Sequence, residues 1–238
     1  MATRVPKARK ASPARGRPKA GRRARTASAR TPGRPAADGL DQQSRIIDAA
    51  LACYVRKGIG ATSIRDVATG AGVTPALVHY YFGDARHLME QVIALRLMPV
   101  FGTVRDAVLD AGGDGPTALV RGFVDAICTA VQAHPWWPAL WVREVVSEGG
   151  ALRDLLVTRV APELTQAIAR RFALAQQQGR LNPDLDPRLI VVSLIGLTMF
   201  PAAGAPIWRR IFDAQDLTME NVRSHALALL ERGLEAKT

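Results

Sequence analysis

Two short helical patterns separated by a tight turn, at residues 62–82, constrain the fold more than any other part of the chain. Apolar residues in the first pattern recur at the period of a helix face, and Ser63 with Asp66 three residues later has the spacing of a capping box. Gly72 follows where a helix would end, and Thr74 then provides a second N-cap. Two such helices joined by a glycine-containing turn are the helix-turn-helix pattern, whose second helix enters the major groove of DNA.

Helical periodicity continues along the rest of the chain, and no strand pattern occurs in the sequence. An amphipathic helix from Asp41 to Lys57 precedes the two short helices and would brace them as a three-helix unit. Beyond this unit the pattern predicts helices at 84–111 with a kink or break at Pro99, and at 117–133, 136–147, 151–178, 187–203 and 216–235, with a short helix ending near 212. Glycine and proline predict a break at 204–206. We therefore predict an all-α protein of nine or ten helices.

The positive charge of the chain is confined to its N-terminal segment. Residues 1–40 contain 12 of the 32 Lys and Arg residues and one of the 21 Asp and Glu residues, so the net charge of +11 lies there and the remainder is balanced. Residues 1–37 consist almost entirely of Ala, Arg, Lys, Pro, Gly, Ser and Thr, which cannot bury enough apolar surface to offset the entropy of ordering. We predict a disordered basic tail at 1–39 and ordered structure from about residue 40.

Two short Gly-Arg-Pro repeats lie inside this tail, at 15–18 and 32–35. The first resembles the core of an AT-hook, an extended element that lies in the minor groove of A·T-rich DNA. Arginine is attracted to the negative potential of a narrow minor groove, so Arg15, Arg17 and Arg34 are candidate DNA-binding residues. A generic polybasic tail that contacts only phosphates is the alternative, and a transit peptide is a weaker third interpretation.

Several classes of protein are excluded by what the sequence lacks. The two cysteines, Cys53 and Cys128, fall on apolar helix faces and are predicted to be buried free thiols in a reducing compartment. No apolar stretch follows the basic N-terminus, and the longest apolar run, 189–205, is interrupted by Pro201 and short for a bilayer, so we predict a buried helix and no membrane segment. The four histidines are dispersed, and no phosphate-binding loop, metal-ligand spacing or nucleophile motif occurs. We therefore predict no catalytic residues, no metal and no cofactor, and a cytoplasmic, nucleoid-associated protein.

The segment from about residue 45 to residue 92 carries a further set of motifs. These are Arg-Ile-Ile-Asp-Ala-Ala at 45–50, Gly58 with Thr62, Ile-Arg-Asp-Val-Ala at 64–68, Ala-Gly-Val at 71–73 and Tyr-Tyr-Phe at 80–82. In composition and spacing they resemble the TetR family of bacterial transcriptional regulators. The resemblance implies a helix-turn-helix DNA-binding domain at 40–84 and a variable helical ligand-binding and dimerisation domain at 85–238.

The resemblance also implies which residues contact DNA. By position in the family pattern, the candidates are Thr62 and Ser63 at a phosphate, and Thr74, Pro75, Ala76, Leu77, His79 and Tyr80 along the groove. Val78, Tyr81 and Phe82 are predicted to be core. Family members usually have Tyr at the position of His79 and Lys at that of Ala85. Because Ala85 has no side-chain donor, the common phosphate contact of that Lys is missing here. Because the helix is also short of the Arg, Asn and Gln that bind base edges, DNA shape and the basic tail are expected to share the recognition.

Three of the four tryptophans, Trp136, Trp137 and Trp141, fall within six positions. They either pack the domain or line an apolar effector pocket, because such pockets favour aromatic side chains with a few polar groups. The pocket interpretation gives the candidate ligand-binding residues Met98, Phe101, Phe123, Ile127, Trp137, Trp141, Arg143 and Glu144. For Arg143 and Glu144, an exposed pair and a domain-bracing ion pair are the alternatives to polar ligand anchors.

The combined expectation is a ligand-responsive regulator, in the repressor mode that is commoner in the family. The resemblance implies a homodimer formed through the last two long helices, about 187–203 and 216–235, which are apolar enough for such an interface. Two recognition helices one DNA turn apart would bind a pseudo-palindromic operator in double-stranded DNA. An unknown hydrophobic small molecule would release the DNA by a population shift, with the helix at 84–111 as the lever. The alternative is an architectural DNA-binding protein with A·T preference through its basic tail.

Overall fold

The computed structural model describes residues 35–110 and 115–234, and every structural statement below refers to them. Within these ranges the chain forms nine helices and no strand, which confirms the all-α prediction. Arg15, Arg17 and Arg34, with the rest of the predicted basic tail, lie outside the described residues.

The first three helices are α1 at Pro35–Lys57, α2 at Ile64–Ala71 and α3 at Pro75–Phe82; α1 begins earlier than the predicted start at Asp41. α4 continues through Ala85–Val92, a π-helical turn at Ile93–Leu97 and Met98–Asp110, and α5 is Pro116–Ala133. α6 joins Trp137–Trp141 to a second π-helical turn at Val142–Val146. α7 joins Arg153–Leu155, a third π-helical turn at Leu156–Val160 and Ala161–Gln177. The last two helices are α8 at Pro187–Ile211 and α9 at Met219–Leu234.

Local capping builds the helix-turn-helix, as the sequence predicted. At the start of α2 the Ser63 hydroxyl accepts a hydrogen bond from the Asp66 N–H at 3.2 Å, and the Asp66 carboxylate accepts one from the Ser63 N–H at 3.0 Å. Gly72 ends the helix at φ 66°, a left-handed conformation that favours glycine. Thr74 then caps α3 by accepting from the Leu77 N–H at 3.3 Å. These caps, with the left-handed turn between them, fix how α3 leaves α2.

The Asp66 carboxylate in this capping box is stabilised in its charged form. A hydrogen bond from the Lys57 ammonium, followed by those from Ser63, holds the pKa of Asp66 well below its usual value. Because the pKa is lowered in the folded state, the stabilisation is present above the ordinary carboxyl pKa and is lost as the pH falls through the lowered value. The capping box therefore keeps its charge until strongly acidic pH.

α8 is continuous where the sequence predicted a break at 204–206, so that prediction was wrong. Pro201 and Pro206 each remove one backbone donor from the helix. The indole N–H of Trp208 supplies a different donor to this region, because it donates to the Pro201 carbonyl at 2.8 Å. The buried residues of α8, such as Leu194, all lie before Pro201 and anchor the first half of the helix. The second half continues past both prolines with the Trp208 hydrogen bond inside the same helix.

The buried apolar side chains form two clusters. The first joins α1, α2, α3 and the start of α4 around residues such as Ile46 and Leu88, and it includes Leu140 of α6. The second joins the remainder of α4 to α5, α7, α8 and α9 around Phe172 and Leu194. Burying one side chain of this size stabilises the fold by about 1.5–3 kcal/mol. Because α4 and α6 contribute to both clusters, they connect the DNA-binding unit to the rest of the protein.

Both cysteines are buried free thiols, as predicted. Burial raises the pKa of the Cys128 thiol to about 11, so its reactive thiolate is scarce at neutral pH. Burial likewise raises the pKa of Tyr54 in α1 to about 12. These groups belong to the core and take no part in the sites below.

Candidate nucleic-acid interface and apolar cavity

α3 presents most of the residues predicted to contact DNA on its exposed side. Thr74, Pro75, Ala76, His79 and Tyr80 are exposed, and Leu77 is half-buried. Tyr80 is 80% exposed, although a side chain of its size usually contributes to a core. On the opposite side Val78 and Phe82 are buried and Tyr81 is half-buried against the first cluster. α3 thus separates a solvent-facing surface from an apolar one, as a recognition helix requires.

His79 has one ring nitrogen committed inside the protein. Its Nδ1 lies 2.6 Å from the Gly83 carbonyl oxygen, which can only accept a hydrogen bond, so Nδ1 carries a proton. The other nitrogen, Nε2, is left for an external partner. In the neutral ring Nε2 is an acceptor, suited to a base amino group, and it donates to a phosphate only in the imidazolium form.

The N-terminus of α2 already uses the hydroxyls that were predicted to contact a phosphate. The Thr62 hydroxyl donates to the Gly58 carbonyl at 2.6 Å, and the Ser63 hydroxyl donates to the Asp66 carboxylate at 2.8 Å. The Asp66 N–H is already taken by the Ser63 hydroxyl, so the donors that remain at this helix end are the amides of Ile64 and Arg65, together with the exposed Arg65 side chain. A phosphate bound here would therefore contact backbone N–H groups more directly than the two hydroxyls.

The start of α4 offers one exposed cation. Asp84 caps the helix by accepting from the His87 N–H at 2.9 Å, and this hydrogen bond holds the pKa of Asp84 below its usual value. Ala85, where the family resemblance implies Lys, has no donor. The Arg86 side chain beside it is 80% exposed, and its Nε donates to Glu90 at 3.1 Å. Because a guanidinium has five N–H donors, this one bond leaves donors for a phosphate.

A cavity of about 320 Å³ lies among α4, α5, α6, α7 and α8. Six of the eight predicted ligand-binding residues line it: Met98, Phe101, Phe123, Ile127, Trp137 and Trp141. The wall formed by α7 and α8 was not predicted, and it comprises Leu156, Arg159, Val160, Ala161, Glu163, Leu164, Thr165, Ile195 and Met199. Leu156, Val160 and Leu164 recur at helical spacing and were the available signal, but nothing in the sequence indicated that α7 faces α4.

Four charged or hydroxyl side chains line this cavity, and two of them have partners. Arg105 pairs with Asp106 at 2.8 Å, and the Thr165 hydroxyl donates to a backbone carbonyl of its own helix. Arg159 and Glu163 make no hydrogen bond or ion pair within the described part of the chain. The cavity therefore combines apolar walls with one basic and one acidic side chain that remain available to a ligand.

Arg143 and Glu144, predicted as polar ligand anchors, lie outside the cavity lining. Both belong to the π-helical turn of α6. Arg143 donates to the Val55 carbonyl near the end of α1, and Glu144 accepts from the Ile59 N–H in the turn between α1 and α2. Glu144 is 4% exposed, and no ion pair between the two side chains is present in the described structure. Of the three alternatives, their placement is closest to the domain-bracing one, although backbone groups and not opposite charges are their partners.

Large apolar side chains are exposed along α8 and α9. They are Leu189, Val192, Phe200, Ile207 and Ile211 on α8, Phe212 after it and Leu229 on α9, and this set is termed the α8–α9 face. On α8 these residues recur at helical period on one side, so the prediction of a buried helix holds only for the opposite side. Among the described residues, α8 is also the one helix that is long and apolar enough to cross a bilayer. An exposed apolar stripe of this kind is more typical of a protein interface.

Two family models match the chain and together span most of it. The model of bacterial regulatory proteins of the tetR family matches residues 46–92, and the model of the tetracyclin repressor-like C-terminal domain matches residues 116–231. The chain belongs to the TetR family of transcriptional regulators. The first match contains part of α1, α2, α3 and the beginning of α4, and the second contains α5, α6, α7 and α8, which are four of the five helices around the cavity. The two family matches therefore include both the exposed helix α3 and the helices of the C-terminal domain.

TetR regulators from several bacteria are similar to this chain. The HTH-type transcriptional regulator SrpR of Pseudomonas putida is 26% identical over 152 residues, which are 63% of this chain and 68% of the relative. The HTH-type transcriptional repressor KstR2 of Rhodococcus jostii is 24% identical over 148 residues, 62% of this chain and 72% of the relative. The structure of the ketosteroid transcriptional regulator KstR2 of Mycobacterium tuberculosis superposes with a TM-score of 0.66 at 19% identity, covering 82% of this chain and 96% of that one. The structural likeness shows that the fold is shared.

These matches establish the protein as a DNA-binding transcriptional regulator. The family and the similar proteins are regulators and not enzymes, and TetR regulators typically bind operator DNA as dimers that respond to small molecules. The architectural alternative is not favoured, because the two family matches lie in the helical part of the chain, and binding through the basic tail alone would not require that part.

Proposed function

We propose that this protein is a repressor that binds a pseudo-palindromic operator as a homodimer and leaves it when a hydrophobic small molecule occupies the cavity. The path of α4 is the observation that carries the proposal. Its first part packs in the DNA-binding unit through Leu88 and Val92, and its second part lines the cavity through Met98 and Phe101. A ligand that displaces α4 changes the spacing of the two recognition helices, and operator affinity falls through a population shift.

The dimer forms through the α8–α9 face in this proposal. Dimerisation through this face removes the apolar stripe of α8 from water. Binding of a pseudo-palindromic operator then requires that the two copies of α3 lie about 34 Å apart, which is one turn of duplex DNA. We divide the chain accordingly into a DNA-binding domain at 40–84 and a ligand-binding and dimerisation domain at 85–238, preceded by the basic tail. A regulator of this kind acts in the cytoplasm, at the nucleoid.

The proposed operator contacts follow from the exposed side of α3. Thr74, Pro75, Ala76, His79 and Tyr80 line the major groove, with Leu77 at its edge. The N-terminus of α2, near Thr62 and Ser63, meets a phosphate through its backbone amides, and Arg86 meets another in place of the usual Lys. Because α3 carries no Arg, Asn or Gln, small and apolar contacts and DNA shape supply most of the base discrimination.

The proposed effector is a small, mainly apolar molecule with one polar end. A cavity of about 320 Å³ lies near the lower limit of ligand pockets in proteins, which favours a compact molecule. Trp137, Trp141 and Phe101 supply aromatic surface, and Arg159 and Glu163 supply the polar groups that would fix its orientation. A thermal-shift screen of hydrophobic compounds identifies candidates, and a true effector both raises Tm and releases the operator.

Filling the cavity from α4 is expected to abolish the response to such compounds. Gly102 lines the cavity, and a Cβ added there meets no atom within 4 Å, so the backbone leaves room for a side chain to begin at this position. The further atoms of Gly102→Leu are expected to take up cavity volume. Overfilling a bound site costs about 1–3 kcal/mol, so the affinity for screened compounds should fall about 5- to 150-fold. Operator affinity in the absence of compound should remain near that of the wild type. Titration calorimetry and fluorescence anisotropy of a labelled operator measure the two quantities.

Gly102→Ala is the matched control for this experiment. It brings the same gain in helix propensity, about 1 kcal/mol, with little added volume, so the response to compounds should persist. Equal responses from the wild type, Gly102→Ala and Gly102→Leu would show that the compounds bind elsewhere and that this cavity is not the effector site.

Removing the basic tail is expected to weaken operator binding and to flatten its dependence on salt. Residues 1–34 contain 12 Lys and Arg residues, and the slope of log K against log salt should fall by about one unit for each phosphate that the tail no longer neutralises. Anisotropy titrations at several salt concentrations give that slope. Replacing Arg15, Arg17 and Arg34 by Lys keeps the charge and serves as the control. An unchanged slope after deletion contradicts the proposal, whereas weaker A·T preference in the Lys variant favours minor-groove binding over phosphate binding alone.

A further inference from the structure

Glu144 is a nearly fully buried charged side chain for which the proposed function gives no role. It is 4% exposed, and its two carboxylate oxygens accept hydrogen bonds from two separate loops. Oε1 accepts from the Ile59 N–H at 2.9 Å, in the turn between α1 and α2, and Oε2 accepts from the Ala151 N–H at 3.1 Å, in the loop before α7. A buried carboxylate is costly unless its oxygens are satisfied, so this side chain holds both loops in place.

We infer that Glu144 is the positioning residue that couples the effector cavity to the DNA-binding unit, by holding the α1–α2 turn against α6. The inference rests on the proposed function and adds a second connection beside α4. It identifies the residue through which occupancy of the cavity reaches the phosphate-binding end of α2.

The α1–α2 turn is shaped to receive this residue. Gly58 has φ 92°, in the left-handed region, and a Cβ there would lie 3.1 Å from Glu144 Oε1 and 3.2 Å from Arg143 Cδ. Arg143 adds a second hydrogen bond across the same boundary, because its Nη1 donates to the Val55 carbonyl at 2.8 Å. Two consecutive residues of α6 therefore form hydrogen bonds with the end of α1 and with the turn that follows it.

The held turn leads directly to the DNA side. The Thr62 hydroxyl donates to the Gly58 carbonyl at 2.6 Å, and the Thr62 N–H donates to the Ile59 carbonyl at 3.1 Å. Ser63, the next residue, is the N-cap of α2. A displacement of Ile59 by Glu144 is thereby passed to the helix end at which we propose a phosphate contact.

The other end of the connection lies in the cavity wall. Trp137 and Trp141 line the cavity, and Trp141 lies three residues, or about one helical turn, before Glu144. On the same helix Leu140 and Val145 are buried in the cluster of the DNA-binding unit. α6 thus has one side on the cavity and the other on the DNA-binding unit, so a ligand that moves the tryptophans moves Glu144 with them.

Operator DNA and the cavity tryptophans provide a test that needs no effector. Coupling between two sites is reciprocal, so binding of operator must change the cavity if the cavity controls the operator. In a Trp208→Phe background the remaining tryptophans are Trp136, Trp137 and Trp141. Because Trp208 bonds within α8, the background serves as the parent once sedimentation velocity and operator anisotropy match those of the wild type. The measured quantity is acrylamide quenching of their fluorescence, with and without a duplex that the protein has selected from a random pool.

Glu144→Gln is the main variant, because a carboxamide has one acceptor oxygen and leaves one of the two N–H groups facing a donor. If Glu144 transmits the coupling, which is ordinarily a factor of about 5–150 in affinity, most of the operator-induced change in the quenching constant should be lost in this variant. Glu148→Gln, at an exposed Glu four residues further on, is the matched control and should behave as its parent. If the role of Glu144 is purely structural, Glu144→Gln will lower Tm but will leave the operator-induced change in quenching intact.

The outcomes separate this inference from the proposed function. A full operator-induced change in Glu144→Gln overturns the role of Glu144 while the ligand response stands. No operator-induced change in the parent overturns the ligand response, and the inference with it. Should Glu144→Gln fail to fold, the exposed Arg143→Ala removes only the bond to the Val55 carbonyl and should reduce the change. An undiminished change in Arg143→Ala then counts against the inference.

Discussion

Replacing Ala76 by Glu is expected to weaken operator binding about 100-fold or more without lowering Tm. Ala76 is exposed at the second residue of α3, on the side proposed to enter the major groove. A carboxylate there faces DNA phosphates, and like-charge juxtaposition at an interface costs several kcal/mol, of which each 1.4 kcal/mol is a factor of ten. An acidic residue in the first turn of a helix stabilises the helix by about 0.3–1 kcal/mol, so unfolding would not explain the weaker binding. Anisotropy of a labelled operator at fixed salt measures the affinity.

Ala107→Glu is the control for that substitution. Ala107 is also exposed, but it lies near the far end of α4, away from the proposed groove. It adds the same charge to the whole protein and should change operator affinity only slightly. Equal reductions of operator affinity in the two variants would indicate a general effect of charge. Unchanged operator affinity in Ala76→Glu would show that α3 does not contact the DNA.

Replacing Val192 by Glu is expected to convert the dimer to a monomer and to weaken operator binding about 100-fold or more. Val192 is 62% exposed on the α8–α9 face, so the protomer accommodates the charge in water. In the proposed interface the same charge would be buried without a partner, which costs several kcal/mol. A monomer loses the second half-site, and linked binding of two half-sites raises affinity by about 10²- to 10⁴-fold. Sedimentation velocity gives the mass, and anisotropy gives the affinity.

Val157→Glu provides a closely matched control. Val157 is 61% exposed on α7, outside the α8–α9 face and outside the cavity lining. This variant should stay dimeric and bind the operator normally. A dimeric Val192→Glu with full operator affinity would place the dimer interface elsewhere on the surface.

The helix-turn-helix could be predicted from sequence because its determinants are local. Ser63 and Asp66 form the capping box from adjacent turns, and Gly72 and Thr74 act within one residue of the helix ends they define. Each of these interactions depends on groups a few residues apart and not on the rest of the fold. The core side of α3, at Val78, Tyr81 and Phe82, followed from helical period, whereas its DNA-facing residues were implied by the family resemblance.

Features that depend on distant contacts were beyond prediction from sequence. The continuity of α8 past Pro206 goes against the tendency of proline to end a helix, and the hydrogen bond from the Trp208 indole to the Pro201 carbonyl in the same helix was not predicted. The three π-helical turns interrupt the α-helical period on which the prediction relied. Glu144 lies in one of them, and its carboxylate accepts from the Ile59 N–H in the DNA-binding unit. The wall of the cavity formed by α7 depends on which helices meet in space. Aromatic side chains indicated part of the cavity, because Trp137 and Trp141 cluster in sequence as well as in the fold.

Selection of duplexes from a random pool by the full chain, followed by sequencing, tests the central claim most directly. A homodimer with one exposed α3 in each protomer should enrich a pseudo-palindrome whose half-sites are centred about 10 base pairs, or one duplex turn, apart. Enrichment of A·T-rich sequence without symmetry, or of no sequence at all, would contradict the account and would leave only a basic tail that binds DNA by charge.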